Sequence, residues 1–195
     1  MPPLPEQVFF ESDLRFAFPA TWIVRKFDET VAYRSLSGHG LKGVDFICLD
    51  DRGRCWLIEV KNYRVRTSAG KDYRAVRRRP EELARRVAKK FADSRRLIRI
   101  IHQYVERSWW RRVYRSVLQL FPSRRSTYAF WDRARSRVRE GGVVYVLWME
   151  TPEVNTDYDE AVRAALLPEL PPEAVLHVAE SSRPNSLPFR TLAAN

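Results

Sequence analysis

Asp45, Glu59 and Lys61 are the residues of this chain whose types and spacing could do chemistry together. They fall in two strand-like runs, residues 43–49 (GVDFICL) and 55–61 (CWLIEVK), separated by Asp50-Asp51-Arg52-Gly53-Arg54. That pattern reads as a β-hairpin. Alternation along the second run puts Cys55, Leu57, Glu59 and Lys61 on one face and Trp56, Ile58 and Val60 on the other. A three-residue loop of Asp51, Arg52 and Gly53, with glycine in the left-handed position, pairs Asp50 with Arg54. Leu49 then faces Cys55, Ile47 faces Leu57, and Asp45 faces Glu59 with β-carbons ~5 Å apart. A two-residue loop would send Asp45 to the opposite face.

Like charges directly across a hairpin destabilise it. A divalent cation reverses that sign, and carboxylate oxygens with positions left for water and phosphate are what Mg²⁺ accepts. The competing reading is a solvated strand face carrying an ordinary acid–lysine pair. Ile47 and Leu57 share the face with the acids, which makes it partly buried and weighs against that reading.

Other elements must position this hairpin. Residues 5–18 (PEQVFFESDLRFAF) predict a first helix closed by Pro19. Residues 22–36 supply a strand interrupted near Asp28, followed by the turn Ser37-Gly38-His39-Gly40. A long helix is predicted from about 80 to 107, where Pro80 suits the first turn, Glu81 and Glu82 its positive end, and Leu83, Val87 and Phe91 recur every four residues. Residues 141–150 read as a buried strand, 157–167 as an acidic amphipathic helix, 174–180 as a short strand, and 181–195 as a loose tail. The whole is an α/β (α+β) domain over residues 1–180, built on a mixed sheet, with residues 64–139 as a basic, aromatic helical segment inside it.

Gly43-Val44-Asp45-Phe46 followed by Glu59-Val60-Lys61 resembles the D…ExK signature of the PD-(D/E)xK nuclease superfamily. The order of elements resembles that family's restriction-endonuclease-like αβββαβ core, a mixed central sheet flanked by helices. The close match covers about residues 41–64 and the looser one runs to about 150. The resemblance implies that Asp45 and Glu59 bind metal with the main-chain carbonyl of Val60, and that Lys61 orients or deprotonates the attacking water. It implies Mg²⁺, with Mn²⁺ as a substitute. Val44 stands where the family pattern often has proline. The family's frequent helix-1 glutamate has two candidates, Glu11 and Glu6, of which Glu11 is nearer to Asp45. Enzymes of this fold often dimerise, although the sequence shows no dedicated interface.

Charge points independently to a polyanion. The chain of 195 residues carries +11 at neutral pH, and residues 64–139 hold 24 basic side chains against 6 acidic ones. Arginine outnumbers lysine 29 to 6, which compositional bias explains, but bias does not explain why acids are scarce in this segment alone. Arg77, Arg78, Arg85, Arg86, Lys89, Lys90, Arg111 and Arg112 are the candidate nucleic-acid contacts. Trp109, Tyr114 and Trp131, interleaved with them, read as packing residues before base platforms. A basic surface for an anionic membrane or an acidic partner is the third reading.

No apolar run is long enough to span a membrane. The start MPPLPEQVFFESD lacks a basic n-region. Cys48 and Cys55, on opposite hairpin faces, make neither a disulfide framework nor a zinc site. These features lead to the expectation of a reduced, cytoplasmic, Mg²⁺-dependent nuclease, acting on DNA rather than RNA. A catalytically inactive nucleic-acid-binding or assembly module with the same fold is the alternative.

Overall fold

The structure, a computed structural model, describes residues 5–30, 33–34, 40–68, 71–73, 75–106, 127–152 and 155–192. The first of these correct the expected N-terminal helix. Residues 6–11 alternate between exposed and half-buried positions, a period of two that belongs to a strand. β1 (Glu6–Glu11) and β2 (Leu14–Pro19) form an antiparallel hairpin from Glu6↔Pro19 to Glu11↔Leu14. Ser12 and Asp13 join them with φ of 51° and 62°. Two successive left-handed residues match the twist of a tight hairpin, and a short polar Asp tolerates that region.

β3 (Ile23–Lys26), β4 (Phe46–Leu49) and β5 (Cys55–Asn62) follow, then a small hairpin of β6 (Arg66–Ser68) and β7 (Lys71–Tyr73). Helices α1 (Pro80–Glu106) and α2 (Thr127–Glu140) lead into β8 (Val143–Glu150). After α3 (Thr156–Leu166) and one 3₁₀ turn come β9 (Val175–Ala179) and β10 (Arg190–Leu192). A five-stranded mixed sheet runs β3-β4-β5-β8-β9, with β3, β4 and β5 antiparallel in sequence and β5, β8 and β9 parallel. Parallel neighbours need crossovers, which α1–α2 and α3 provide.

The central strands are buried on both faces. Ile47, Leu49, Cys55, Leu57, Tyr145 and Leu147 pack against Leu83, Val87 and Phe91 of α1, Phe130 and Ala134 of α2, and Val162 of α3. The opposite face, with Phe46, Trp56, Ile58, Val146 and Trp148, packs against Phe16 and Phe18 of β2. The molecule is therefore three layers deep: helices, the five-stranded sheet, and a second sheet ordered β1-β2-β10. This corrects the expected αβββαβ order at its first element; among the described residues, the helices pack on one face of the central sheet.

The described part of the expected tail, residues 181–192, is anchored and not loose. β10 pairs with β2, and Phe189 just before it is buried against Phe18 at 4.9 Å between ring centroids. Trp131 is a core residue, as expected, edge-on to Phe130. Trp109, Tyr114, Arg111 and Arg112 lie outside the described residues. Among the described residues no helix is long and apolar enough to cross a membrane.

Candidate active site

The hairpin folds in the register that its loop dictates. The Asp50 N–H donates to the Arg54 carbonyl at 3.1 Å, Gly53 holds φ of 74°, and Leu49↔Cys55 and Ile47↔Leu57 face each other. Cys48 and Cys55 are free, buried thiols on opposite faces of the sheet. The β4 ladder ends at Phe46↔Ile58, one residue short of Asp45. Asp45 leaves the ladder there: its N–H donates to the Ile58 carbonyl at 3.1 Å, and its Oδ2 accepts the Val60 N–H at 2.6 Å. The carboxylate thus takes the backbone donor that a further β4 residue would have used. It stands beside Glu59, near the carboxyl ends of the parallel strands, where open α/β sheets commonly place their ligand sites.

Glu59 is wholly buried and Asp45 is 20% exposed, beneath Lys61 at 30% and Lys90 at 26%. Both lysines donate to Glu59. Lys61 Nζ bonds Oε1, and Lys90 Nζ lies 2.8 Å from Oε1 and 2.9 Å from Oε2. The Lys90 ammonium also lies 3.8 Å from Asp45 Oδ1 and so bridges the two acids. Burial, then repulsion from Glu59, pushes the Asp45 carboxyl up from 3.8 to about 7, against the pull of Lys90 and the Val60 N–H. Burial by itself would lower the Lys90 ammonium, but Glu59 and Asp45 more than offset it and hold the pKa above its ordinary value.

The structure brings Asp45, Glu59 and Lys61 together, with Asp45 off the ladder where the sequence predicts it directly opposite Glu59. It adds Lys90, which the sequence places among the nucleic-acid contacts. Its position carried the signal: Lys90 follows Val87 by three residues and precedes Ser94 by four, so it shares the sheet-facing side of α1. Ser94 and Asp93 were missed altogether. Both are buried, and they anchor the segment leading to Asp45: Ser94 Oγ accepts the Val44 N–H at 2.9 Å and Asp93 Oδ2 the Lys42 N–H at 3.2 Å.

The expected helix-1 acid is corrected. Glu11 ends strand β1, where Ser12 Oγ bonds it and Lys26 Nζ lies 3.4 Å away, and it adds only a minor upward push on Asp45. Glu6 is at the far end of the same strand and pairs with Arg190. Of the basic candidates, Arg78, Arg85, Arg86 and Lys89 are exposed along α1 and its approach. Arg77 is half-buried over the rings of Tyr63 and Tyr158, at 5.9 and 4.9 Å. Among the described residues, no three His, Cys, Asp or Glu side chains converge as a metal-ligand group.

Comparison with protein-family models, curated proteins and solved structures found no match to this chain. What the geometry offers chemically is a recessed pair of carboxylates under mutual repulsion, with two ammonium groups on one of them.

Proposed function

We propose that this protein is a cytoplasmic, Mg²⁺-dependent nuclease of the PD-(D/E)xK type, hydrolysing phosphodiester bonds in DNA in preference to RNA. One observation carries the reading: Asp45 and Glu59 share a site although burial, and after it repulsion from Glu59, raises Asp45 to about 7. An apolar hairpin gains nothing from that juxtaposition, whereas a divalent cation relieves it. Two carboxylates suit Mg²⁺, which keeps its remaining positions for water and phosphate and does not require an all-protein cage. Asp45 and Glu59, with the Val60 carbonyl, are the residues that would hold it. When bound, the cation polarises the scissile phosphate and lowers the pKa of a bound water.

The chain's own residues supply the rest. Val60 N–H fixes one oxygen of Asp45, leaving Oδ1 for the ligand. Lys61, on the Glu59 side of β5, orients the attacking water or balances charge in the five-coordinate transition state. Arg78, Arg85, Arg86 and Lys89 present exposed cations on the helix that carries Lys90 into the site, which suits a phosphate backbone lying along α1.

The test is cleavage of plasmid, linear duplex, single-stranded DNA and RNA with Mg²⁺ or Mn²⁺, beside Asp45→Ala and a chelator control. Cleavage by the wild type alone, abolished by chelator, supports the reading. Lys61→Ala should keep metal binding and lose turnover.

A second reading has its own observation. Both Glu59 oxygens are held by lysines, so this carboxylate has its counter-ions without any metal. A nucleic-acid-binding or assembly module would look like this, and it would bind nucleic acid equally well after Asp45→Ala, with no cleavage and a steep salt dependence.

A further inference from the structure

Lys90 differs from the basic run that contains it. Arg85, Arg86 and Lys89 are exposed, whereas Lys90 lies on the flank of α1 next to Val87 and Phe91, both packed into the sheet. Its ammonium ends between two carboxylates, 2.8 Å from Glu59 and 3.8 Å from Asp45. With both acids ionised, Asp45, Glu59, Lys61 and Lys90 sum to zero charge. A divalent cation brought among them leaves the cluster doubly positive and competes with Lys90 for the same oxygens. A phosphodiester arriving with the cation offers the displaced ammonium a new anion. The four-methylene stem of lysine and the partial exposure of Lys90 permit that exchange without moving the helix.

We infer that Lys90 is a positioning residue acting as a tethered counter-ion: it holds Asp45 and Glu59 together before loading, yields Glu59 to a divalent cation, and passes its ammonium to the phosphodiester. The inference rests on the proposed reading that these acids take a metal. Its consequence is reciprocal coupling, in which the cation binds weakly alone and more tightly with a phosphodiester present. Lys61, two residues along β5 from Glu59, does not approach Asp45 in the same way and stays with Glu59.

The test measures Mn²⁺ binding to the full chain, without nucleic acid, for wild type, Lys90→Met, Lys90→Arg and Asp45→Ala. Removing a like charge within ~4–6 Å of the bound cation should tighten Mn²⁺ by about tenfold or more in Lys90→Met. Lys90→Arg keeps the charge and should stay near wild type, and Asp45→Ala should abolish binding. In chelator, Lys90→Met should melt below wild type, because the acids lose their counter-ion, and Mn²⁺ should restore it. Should Lys90→Met fail to fold, the wild type alone carries the test: a short, non-cleavable phosphorothioate oligonucleotide should tighten Mn²⁺ by a similar factor. Asp45-dependent Mn²⁺ binding of equal strength in wild type and Lys90→Met, or no tightening by the oligonucleotide, overturns the inference and leaves the metal reading standing. Absence of Mn²⁺ binding in every variant, with or without the oligonucleotide, overturns both.

Discussion

The Ser94 hydroxyl of α1 accepts the backbone N–H of Val44 at 2.9 Å, one residue before Asp45. The same helix, four residues earlier, extends Lys90 to the acid pair. One rigid element thus sets both the approach of the Asp45 segment and the position of its counter-ion. Ser94 is fully buried, so Ser94→Ala leaves the Val44 N–H without a partner in a dry site. The expected cost is about 1–3 kcal/mol of stability. Urea unfolding measures it, and an unchanged midpoint would show that the bond contributes nothing.

Gly43 is required for a different reason. A β-carbon there would lie 2.4 Å from Cδ1 and 2.7 Å from Cε1 of the Phe27 ring, which is fully buried. Phe27 also donates its N–H to the Asp45 carbonyl at 2.8 Å, so displacing Phe27 displaces the backbone of the acid. Gly43→Ala should cost about 1–3 kcal/mol as overpacking. The double variant Gly43→Ala with Phe27→Leu should recover part of that loss. Two purely additive losses would mean that the clash is not the cause.

How legible these features were follows from the local signal each one carries. The 43–61 hairpin announced itself because a glycine in the left-handed position fixed the loop, and the loop fixed which side chains share a face. The N-terminal hairpin did not, since Ser12-Asp13 is not the Asn-Gly that usually marks such a turn, and clustered Val8, Phe9 and Phe10 imitate a helical stripe. Lys90 was hidden by company: amid exposed Arg85, Arg86 and Lys89 it read as one more surface cation, although its helical phase with Val87 and Ser94 distinguished it. The departure of Asp45 from the ladder had no sequence signal, because it depends on which backbone donor its side chain takes.

Asp45 gives the metal-free protein a pH signature. In the folded state its carboxyl is raised from 3.8 to about 7, by burial and then by Glu59. Between those values the folded protein keeps a proton that the unfolded chain has released. The group's contribution is therefore complete below about pH 4 and is lost as pH rises through about 7, with a slope of at most about 1.4 kcal/mol per pH unit. Asp45→Asn does not titrate and should flatten this part of the profile. Melts in chelator from pH 4 to pH 8 check the sign. A difference between the two proteins that grows in favour of wild type with rising pH would refute the assignment.

The C-terminal strand yields the last prediction. Phe189 is buried in the layer between the two sheets, 4.9 Å from Phe18 and 5.9 Å from Trp148 between ring centroids, and β10 next to it pairs Arg190 with Ala17 and Leu192 with Arg15. A loose tail would contribute nothing to stability. A core anchor should cost about 3–5 kcal/mol when Phe189 is cut to alanine, through lost burial and an unfilled cavity. The loss should fall on the face opposite the helices, so a protein that still folds should keep Asp45, Glu59 and Lys90 in place. Urea unfolding followed by tryptophan fluorescence, with Mn²⁺ binding measured on the same samples, separates the two effects. A midpoint equal to wild type would return residues 181–192 to the status of a tail, and selective loss of Mn²⁺ binding without destabilisation would show that the second sheet supports the site directly.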